Sequence, residues 1–448
     1  MVRAFHAELA WTGEGPLHHR LLIEVAGGVI ERVTPGASAP AGAVRLPGLT
    51  IPGLANAHSH AFQRALRGRA QEGAGDFWAW RRLMYETAAA IDPETLFEVA
   101  RAVYAEMAVA GVTAVGEFHY LHHPPGGGRY ADPNETGLAL LEAARQAGVA
   151  LTLLDACYLR GGPDGRPPEG VQGRFSDGSA EAWAERVDRL SGLGGARLGA
   201  AVHSVRAVDE GSVRVVAEWA RGRGVPLHFH LSEQPRENQD CLAATGLTPA
   251  ALLERAGALG PGSTAVHATH VTADDVGLLG RAGAGVCLCP TTERDLGDGV
   301  GPAHRLAGAG CWLSVGSDSN AVVDLFEEMR AVELDQRLVT NHRGQHRPGD
   351  LLAAGTRGGM AALGRPSGGI AAGMPADLVT LRLDSPRLAG APAASLPAQA
   401  VYAASAADVS HVVAGGVEIA SMGRHLALGD VGSLLAAALG RLAARARR

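Results

Sequence analysis

The sequence predicts an α/β fold: a (β/α)8 TIM-type barrel with a small β-sandwich domain built from the N- and C-terminal segments. Three observations support this prediction. Between residues 51 and 367, short apolar runs alternate with stretches of helical periodicity, as expected for βα units around a parallel sheet. Before and after this region, strands and turns occur without that alternation. The length of 448 residues fits a barrel of about 250 residues with insertions and one small added domain.

Both ends of the chain read as β structure. Residues 21–25 and 29–33 flank an Ala-Gly-Gly turn, which indicates a hairpin with glycines where positive φ is needed. Strand-and-turn sequence returns over residues 376–381 and 410–417. We therefore predict that residues 1–50 and 368–448 form one discontinuous small β domain, and that residues 51–367 form the catalytic barrel.

The barrel strands are predicted from apolar runs, most of which close in His, Asp or Cys. They cover residues 108–116, 149–155, 200–203, 226–230, 264–267, 285–289 and 313–318. Helices are predicted between them over 94–110, 179–190 and 250–256, the last opened by a capping Thr248 and a first-turn Pro249. Because the carboxyl ends of parallel barrel strands meet at one face, the polar residues that end them are expected to converge.

Composition excludes several classes of protein. Forty basic residues against 46 acidic ones, without a long basic run, argue against a nucleic-acid partner. All of the basic residues are arginines, so neither a Schiff-base lysine nor a carboxylated lysine ligand exists in this chain. Five scattered cysteines indicate a reducing compartment. A charged N-terminus and the lack of a long apolar stretch predict a cytoplasmic protein without a membrane partner.

The chemistry-bearing residues lie at predicted strand ends. These are His58 and His60, which share one face of a strand end, and then His203, His230, His267 and Asp318. Asp318 lies 258 residues after His60, which matches the length of about 250 residues of an eight-stranded barrel. The first and last strands of such a closed barrel lie side by side. Three imidazoles and one carboxylate suit Zn²⁺ or another divalent transition metal. Glu233, three residues after His230, is placed to move protons beside such an ion.

Several of these segments resemble the amidohydrolase superfamily, in particular its mononuclear aminohydrolase branch. The resemblance rests on residues 52–60, 230–233, 267 and 316–318. The missing lysine fits the mononuclear branch, because binuclear relatives bridge their metals with a carboxylated lysine. More narrowly, residues 60–65, 77–81, 116–123 and 203–206 resemble the formimidoylglutamate deiminases of that superfamily.

The resemblance implies a role for each of these residues. One divalent ion, Zn²⁺ by preference with Fe²⁺ or Mn²⁺ as alternatives, is held by His58, His60, His230 and Asp318. Protons are handled by Glu233, His267 and Asp318. The substrate is bound by Gln63, Arg81, Tyr120, His203 and Arg206. The implied reaction is hydrolysis of N-formimino-L-glutamate to N-formyl-L-glutamate and ammonia in histidine degradation. Two arginines fit such a small substrate, because their planar forks bind carboxylates bidentately.

Two other functions stay open at this point. An aminohydrolase for a cyclic amidine, such as guanine or an adenosine derivative, uses the same metal and Glu233 but does not need two arginines. A non-catalytic barrel scaffold needs no complete ligand set. A homodimer is expected by analogy with other barrels alone. His119, His122 and His123 are expected in a loop or at the surface, and Arg294-Asp295 adds charges to a loop near the pocket.

Overall fold

The computed structural model describes residues 3–71, 77–126, 128–190, 197–366 and 369–447, with the backbone alone for 77–79. In this part of the chain, sixteen strands form two sheets of eight. They are β1 (Arg3–Ala10), β2 (His18–Ala26), β3 (Val29–Thr34), β4 (Val44–Pro52), β5 (Leu54–Ser59), β6 (Val112–His119), β7 (Ala150–Cys157), β8 (Arg197–Val202), β9 (Leu227–Leu231), β10 (Ser263–His267), β11 (Gly285–Leu288), β12 (Trp312–Val315), β13 (Leu378–Leu381), β14 (Val409–Ala414), β15 (Val417–Ser421) and β16 (Arg424–His425).

Helices connect the barrel strands and cover the outside of the barrel. They are α1 (Phe77–Ala90), α2 (Pro93–Val109), α3 (Glu135–Ala147), α4 (Ala180–Asp188), α5 (Glu210–Arg223), α6 (Pro235–Thr245), α7 (Pro249–Arg255), α8 (Ala273–Ala282), α9 (Pro290–Leu296), α10 (Ala303–Gly308), α11 (Leu325–Thr340), α12 (Pro348–Ala353), α13 (Gly359–Ala362), α14 (Leu396–Tyr402) and α15 (Val431–Ala446). Short 3₁₀ segments include Ala61–Leu66 and Gly170–Phe175, both beside the site described below. Among the described helices, none is both long and apolar enough to cross a lipid bilayer.

The small sheet takes strands from both ends of the chain, as the sequence predicts. Its order is β16-β15-β14-β13-β4-β1-β2-β3, and β4 joins the two halves by pairing parallel with β1 and antiparallel with β13. Its inner face buries a separate apolar cluster that includes Phe5, Ile23 and Leu378. The predicted domain border at residue 368 lies outside the described residues.

The other sheet is the predicted barrel. Strands β5 to β12 pair in parallel in chain order, and all except β12 are buried along nearly all of their length. The ring closes where Ser59 pairs with Asp318. Across this seam His60 N donates to Asp318 O at 2.9 Å, and Asp318 N donates to His58 O at 3.0 Å. The hydrogen bonds that close the barrel therefore also bring the first and last candidate metal ligands together.

Side chains seal the same seam. Asn56 Nδ2 donates to Ser317 Oγ at 2.6 Å, and Asn320 Nδ2 donates to Ser59 Oγ at 3.1 Å. Asp318 and Asn320 both adopt positive φ, +45° and +56°, which is uncommon for residues other than glycine. These buried polar contacts hold the turn after β12 in a conformation that points the Asp318 carboxylate into the barrel mouth.

Two strand assignments from the sequence need correction. The strand predicted over 108–116 begins too early, because Ala108 and Val109 complete α2 and the chain turns at Gly111, with φ of +96°, before β6. A buried last helical turn and a buried strand carry the same apolar signal, so periodicity does not separate them. The strand predicted over 313–318 is shorter, because β12 ends at Val315 and Asp318 lies in the following turn.

The predicted helix starts agree with the structure. Asp92 caps α2 in a capping box with Thr95, with Pro93 in its first turn. The Thr248 side chain accepts a hydrogen bond from Ala251 N and caps α7. The C-terminal α15 packs on α2, and Arg441 Nε lies 2.5 Å from Glu98 Oε2.

Candidate active site

Three histidines meet at the mouth of the barrel with their Nε2 atoms directed at one point. His58 is the penultimate residue of β5, His60 follows the strand, and His230 lies in β9. His58 Nε2 and His230 Nε2 are 3.2 Å apart, and His58 Nε2 and His60 Nε2 each lie 3.4 Å from Asp318 Oδ1. The four side chains that the sequence predicts as metal ligands therefore surround one position.

The outer nitrogens of two of these rings are already used. His60 Nδ1 donates to Phe118 O at 2.9 Å, and His230 Nδ1 donates to His203 O at 2.8 Å. A carbonyl oxygen only accepts, so each neutral ring carries its proton on Nδ1 and presents an Nε2 lone pair inward. Burial lowers the pKa of His58 to about 3 and also lowers the pKa values of His60 and His230. The rings are thus neutral electron-pair donors, the state in which imidazole binds a metal.

His267 differs from these three histidines. Burial alone would lower the pKa of His267, but hydrogen bonding to Glu293 and the charges of Glu233 and Asp318 raise that pKa well above its ordinary value. Its Nδ1 lies 3.3 Å from Glu293 Oε1, and its Nε2 lies 3.8 Å from Glu233 Oε1 and 3.9 Å from Asp318 Oδ2. A protonated ring held between carboxylates is suited to transferring or stabilising protons beside the metal position.

Asp318 stays ionised although it is buried. Desolvation would raise its pKa, but the contact with His58 and the charge of His267 lower the pKa of this carboxyl well below its usual range. An ionised carboxylate next to three neutral imidazoles is a donor set that suits a divalent cation.

A cavity of about 370 Å³ opens above this centre. Every residue predicted to bind substrate or to transfer protons lines it, namely Gln63, Arg81, Tyr120, His203, Arg206, Glu233, His267 and Asp318. Gln63 Nε2 donates to Tyr120 OH at 3.0 Å, which joins the 3₁₀ segment after β5 to the loop after β6. The cavity walls are largely apolar or aromatic and include Trp80, Met84 and Phe175.

Arg81 and Arg206 reach the cavity from different parts of the chain. Arg81 lies on α1, and its Nε donates to Tyr85 OH at 2.8 Å. Arg206 follows β8, with its side chain 19% exposed, and its Nη2 lies 3.7 Å from Glu233 Oε2. The arrangement can bind a small anionic molecule near a cation held by the histidines.

Sequence reasoning missed several residues that shape the site. Gln172 Nε2 donates to Tyr158 OH at 2.8 Å and to Tyr85 OH at 3.2 Å, so this amide ties the partner of Arg81 to the barrel. Glu293 accepts from Cys289 N at 2.9 Å while it contacts His267. The only available signals were the spacing of Tyr85 one helical turn after Arg81 and the acid in the segment after Cys289.

Two expectations about nearby residues need correction. His119 ends β6, whereas His122 and His123 lie in the loop after it as expected but are fully buried, with His123 Nε2 2.9 Å from Asp177 Oδ1. Arg294 lies outside the pocket, 3.1 Å from Glu327 Oε1, and Asp295 accepts from Gln71 at 2.5 Å. The side chain of Trp78, part of one quoted segment, lies outside the described residues.

The model of the amidohydrolase family matches residues 49–419, which span the barrel and, in the small sheet, β13, β14 and parts of β4 and β15. The chain belongs to the amidohydrolase family. The matched span includes the His-x-His pair, the third histidine and the aspartate at the barrel mouth.

Two relatives differ in how much of the chain they match. A formimidoylglutamate deiminase of Pseudomonas aeruginosa is 39% identical over 94% of this chain and 95% of its own. An 8-oxoguanine deaminase of the same species is 30% identical over 82% of this chain and 81% of its own. The more similar of the two carries the family name that the four narrower segments indicated.

Solved structures share the whole fold. An amidohydrolase from Brucella melitensis aligns with a TM-score of 0.91 and 34% identity over 98% of this chain and all of its own. An adenosine deaminase from Xanthomonas campestris, described with bound zinc, aligns with a TM-score of 0.85 and 25% identity over 99% of this chain and 98% of its own. Both confirm the predicted barrel with its small β unit.

Proposed function

We propose that this chain is a metal-dependent hydrolase that converts N-formimino-L-glutamate to N-formyl-L-glutamate and ammonia. The observation that carries the proposal is that Arg81 and Arg206 line the same small cavity as the four-donor centre. A glutamyl substrate has two carboxylates, and two arginine forks match them while the formimino carbon lies over the centre. The 39% identity to a formimidoylglutamate deiminase supports the same substrate.

The residues present fit one divalent ion. His58, His60, His230 and Asp318 would hold it, because their inward atoms are ionised or carry lone pairs at mutual distances of 3.2 to 3.4 Å. Zinc is the preferred ion, in line with the zinc described for the Xanthomonas relative. When bound, the ion supplies a Lewis acid that lowers the pKa of water.

The protein groups then carry the protons. Glu233 takes a proton from the attacking water and delivers it to the formimino nitrogen, which leaves as ammonia after the tetrahedral carbon collapses. His267, charged and held by Glu293, stabilises the negative charge that develops on the attacking oxygen. Asp318, which lies within 3.9 Å of His267, accepts the second proton of the attacking water as the carbonyl forms, and this proton also passes to the leaving nitrogen, so that both protons of the water end on ammonia. Gln63, Tyr120 and His203 orient the substrate along the cavity wall.

The alternative is deamination of a cyclic amidine such as guanine or an adenosine derivative. It keeps Glu233 and the same ion, and the 30% identity to an 8-oxoguanine deaminase favours it to that extent. Its substrates lack the two carboxylates that Arg81 and Arg206 suit. A non-catalytic scaffold does not require the complete set of metal-donor and proton-transfer residues that this chain has.

The decisive experiment is a comparison of kcat/KM for N-formimino-L-glutamate, guanine, 8-oxoguanine and adenosine with the zinc-loaded protein. We expect activity with the linear substrate alone. In Arg206→Met, KM for that substrate should rise about 10- to 100-fold, with a smaller change in kcat, because a charged hydrogen-bonded contact is lost. Preference for a cyclic base, or an unchanged kcat/KM in Arg206→Met, would overturn the proposal.

A further inference from the structure

Glu237 is a buried carboxylate outside the set of residues discussed so far. It lies in the first turn of α6, four residues after Glu233, and is 2% exposed. Its Oε1 accepts a hydrogen bond from Ser232 N at 3.1 Å, and its Oε2 lies 3.4 Å from Arg206 Nε. One side chain thus contacts both the turn that carries Glu233 and the arginine assigned to the substrate carboxylate.

The contact with Ser232 concerns the proton-transfer residue. Ser232 has φ of +50°, an uncommon conformation for a residue other than glycine, at the point where β9 turns toward α6. The Glu237 carboxylate holds the peptide N–H of this turn. Because Glu233 is the next residue, the direction of its side chain depends on that turn.

The contact with Arg206 concerns the substrate. Arg206 lies between two carboxylates, with its Nε edge toward Glu237 and its Nη2 toward Glu233 Oε2 at 3.7 Å. A guanidinium held at Nε keeps its Nη1 and Nη2 atoms in a fixed plane, the edge that forms a bidentate pair with a carboxylate. Without Glu237, one of the two carboxylates that attract Arg206 is missing, and the balance shifts toward Glu233.

We infer that Glu237 is a positioning residue that orients Arg206 for the substrate carboxylate and keeps Glu233 apart from Arg206 for proton transfer. The inference rests on the proposed function. It assigns to one buried carboxylate an effect on both substrate binding and turnover, through two different atoms.

The two oxygens can be tested separately. Glu237→Gln keeps an oxygen for Ser232 N but turns an NH₂ group toward Arg206 Nε, where two donors face each other. We expect about tenfold weaker binding of N-formyl-L-glutamate by calorimetry and a smaller fall in kcat, because Arg206 then moves toward Glu233. Glu237→Asp keeps the charge but is too short to reach Ser232, so kcat should fall more than the product affinity.

Three controls separate positioning from a merely structural role. Glu254→Gln removes the exposed charge of a glutamate on α7 and should change neither quantity. The double variant Arg206→Met/Glu237→Gln should bind product no more weakly than Arg206→Met alone, because the effect passes through Arg206. In a crystal structure of Glu237→Gln, the Arg206 guanidinium should move toward Glu233.

The outcomes are distinct. Unchanged product affinity in Glu237→Gln, full additivity in the double variant, or an unmoved Arg206 would each overturn the inference. If wild-type protein neither binds the product nor hydrolyses the substrate, the proposed function fails. The position of Arg206 in the Glu237→Gln crystal structure then still decides the role of Glu237.

Discussion

The Nε2 atoms of His58 and His230 face each other across 3.2 Å in the buried mouth of the barrel. His230 donates its other nitrogen to a carbonyl, and burial lowers the pKa of His58 to about 3. Two buried ring nitrogens this close to each other, with the Asp318 carboxylate 3.4 Å from His58 Nε2, are a typical donor arrangement around a cation. This pair is therefore the strongest sign in the structure of a metal position.

Removal of the ion should destabilise the protein. A ligand at a thousand times its Kd stabilises the native state by about 4 kcal/mol, so full chelation is expected to lower the Tm by several degrees. Differential scanning calorimetry before and after dialysis against a chelator, with readdition of Zn²⁺, measures this shift. His230→Ala should show the low Tm at the start and no response to Zn²⁺. A wild-type Tm that ignores both treatments would contradict the assigned ligands.

Glu233→Gln should separate metal binding from turnover. Glu233 lies 3.8 Å from His267 and is not one of the four donors, so elemental analysis should find the same metal content as in wild type. The kcat should fall about 10²- to 10⁴-fold, since the amide cannot transfer protons. Glu254→Gln, with its exposed carboxylate, is the matched control. A Glu233→Gln variant with normal turnover would rule out the assigned role.

Tyr85→Phe should weaken substrate binding. The phenol accepts from Arg81 Nε at 2.8 Å and from Gln172 Nε2 at 3.2 Å, and its loss removes one of the contacts that hold Arg81 at the cavity wall. We expect KM to rise about threefold to tenfold with kcat nearly unchanged, since one hydrogen bond to a charged group is lost. Tyr402→Phe removes an acceptor from Arg337 elsewhere and serves as the control. A fall in kcat with constant KM would place Tyr85 in the chemical step instead.

A buried ion-pair cluster behind β7 should govern acid stability. Arg186 lies 2.7 Å from Asp155 and 3.0 Å from Asp177, and both carboxylates are buried. Desolvation would raise the pKa of Asp177, but the hydrogen bond from His123 and the charge of Arg186 lower that pKa far below its ordinary value.

The lowered pKa fixes the sign of the pH dependence. As the pH falls, Asp177 is protonated in the unfolded chain before it is protonated in the folded protein. The stabilisation is therefore complete above about pH 4 and is lost as the pH falls further. Asp177→Asn should cost about 3 to 5 kcal/mol in urea unfolding at pH 7, and this difference should shrink toward pH 3. Asp164→Asn, which removes an exposed ion pair, should cost under about 1 kcal/mol at both pH values. Equal losses in the two variants would refute the assignment.

The sequence predicted the part of the site that depends on strand order. His58, His60, His230, His267 and Asp318 are separated by helix-length spacers, and closure of a parallel barrel must bring such strand ends together. Arg81 and Arg206 were predicted through family resemblance and the chemistry of carboxylate binding. Only the structure shows that both side chains enter the same cavity. Arg81 lies on α1, in an insertion whose position does not follow from the alternation of strands and helices.

The remaining features depend on contacts between side chains far apart in the sequence. Gln172 reaches Tyr85 across 87 residues, and no local pattern marks that pair. Glu237 looks like an ordinary acid in a first helical turn, where it would be expected to interact with the helix dipole. The burial of His122 and His123 in the loop after β6 was not predicted, because their partners Asp155 and Asp177 come from separate later segments.

The measurement that tests the central claim most directly is ammonia release from N-formimino-L-glutamate by the purified protein, after chelation and again after restoration of Zn²⁺. We predict release that disappears with the metal, returns with it, and yields N-formyl-L-glutamate by NMR. Absence of ammonia from fully metal-loaded protein, with the barrel intact by circular dichroism, would contradict the account.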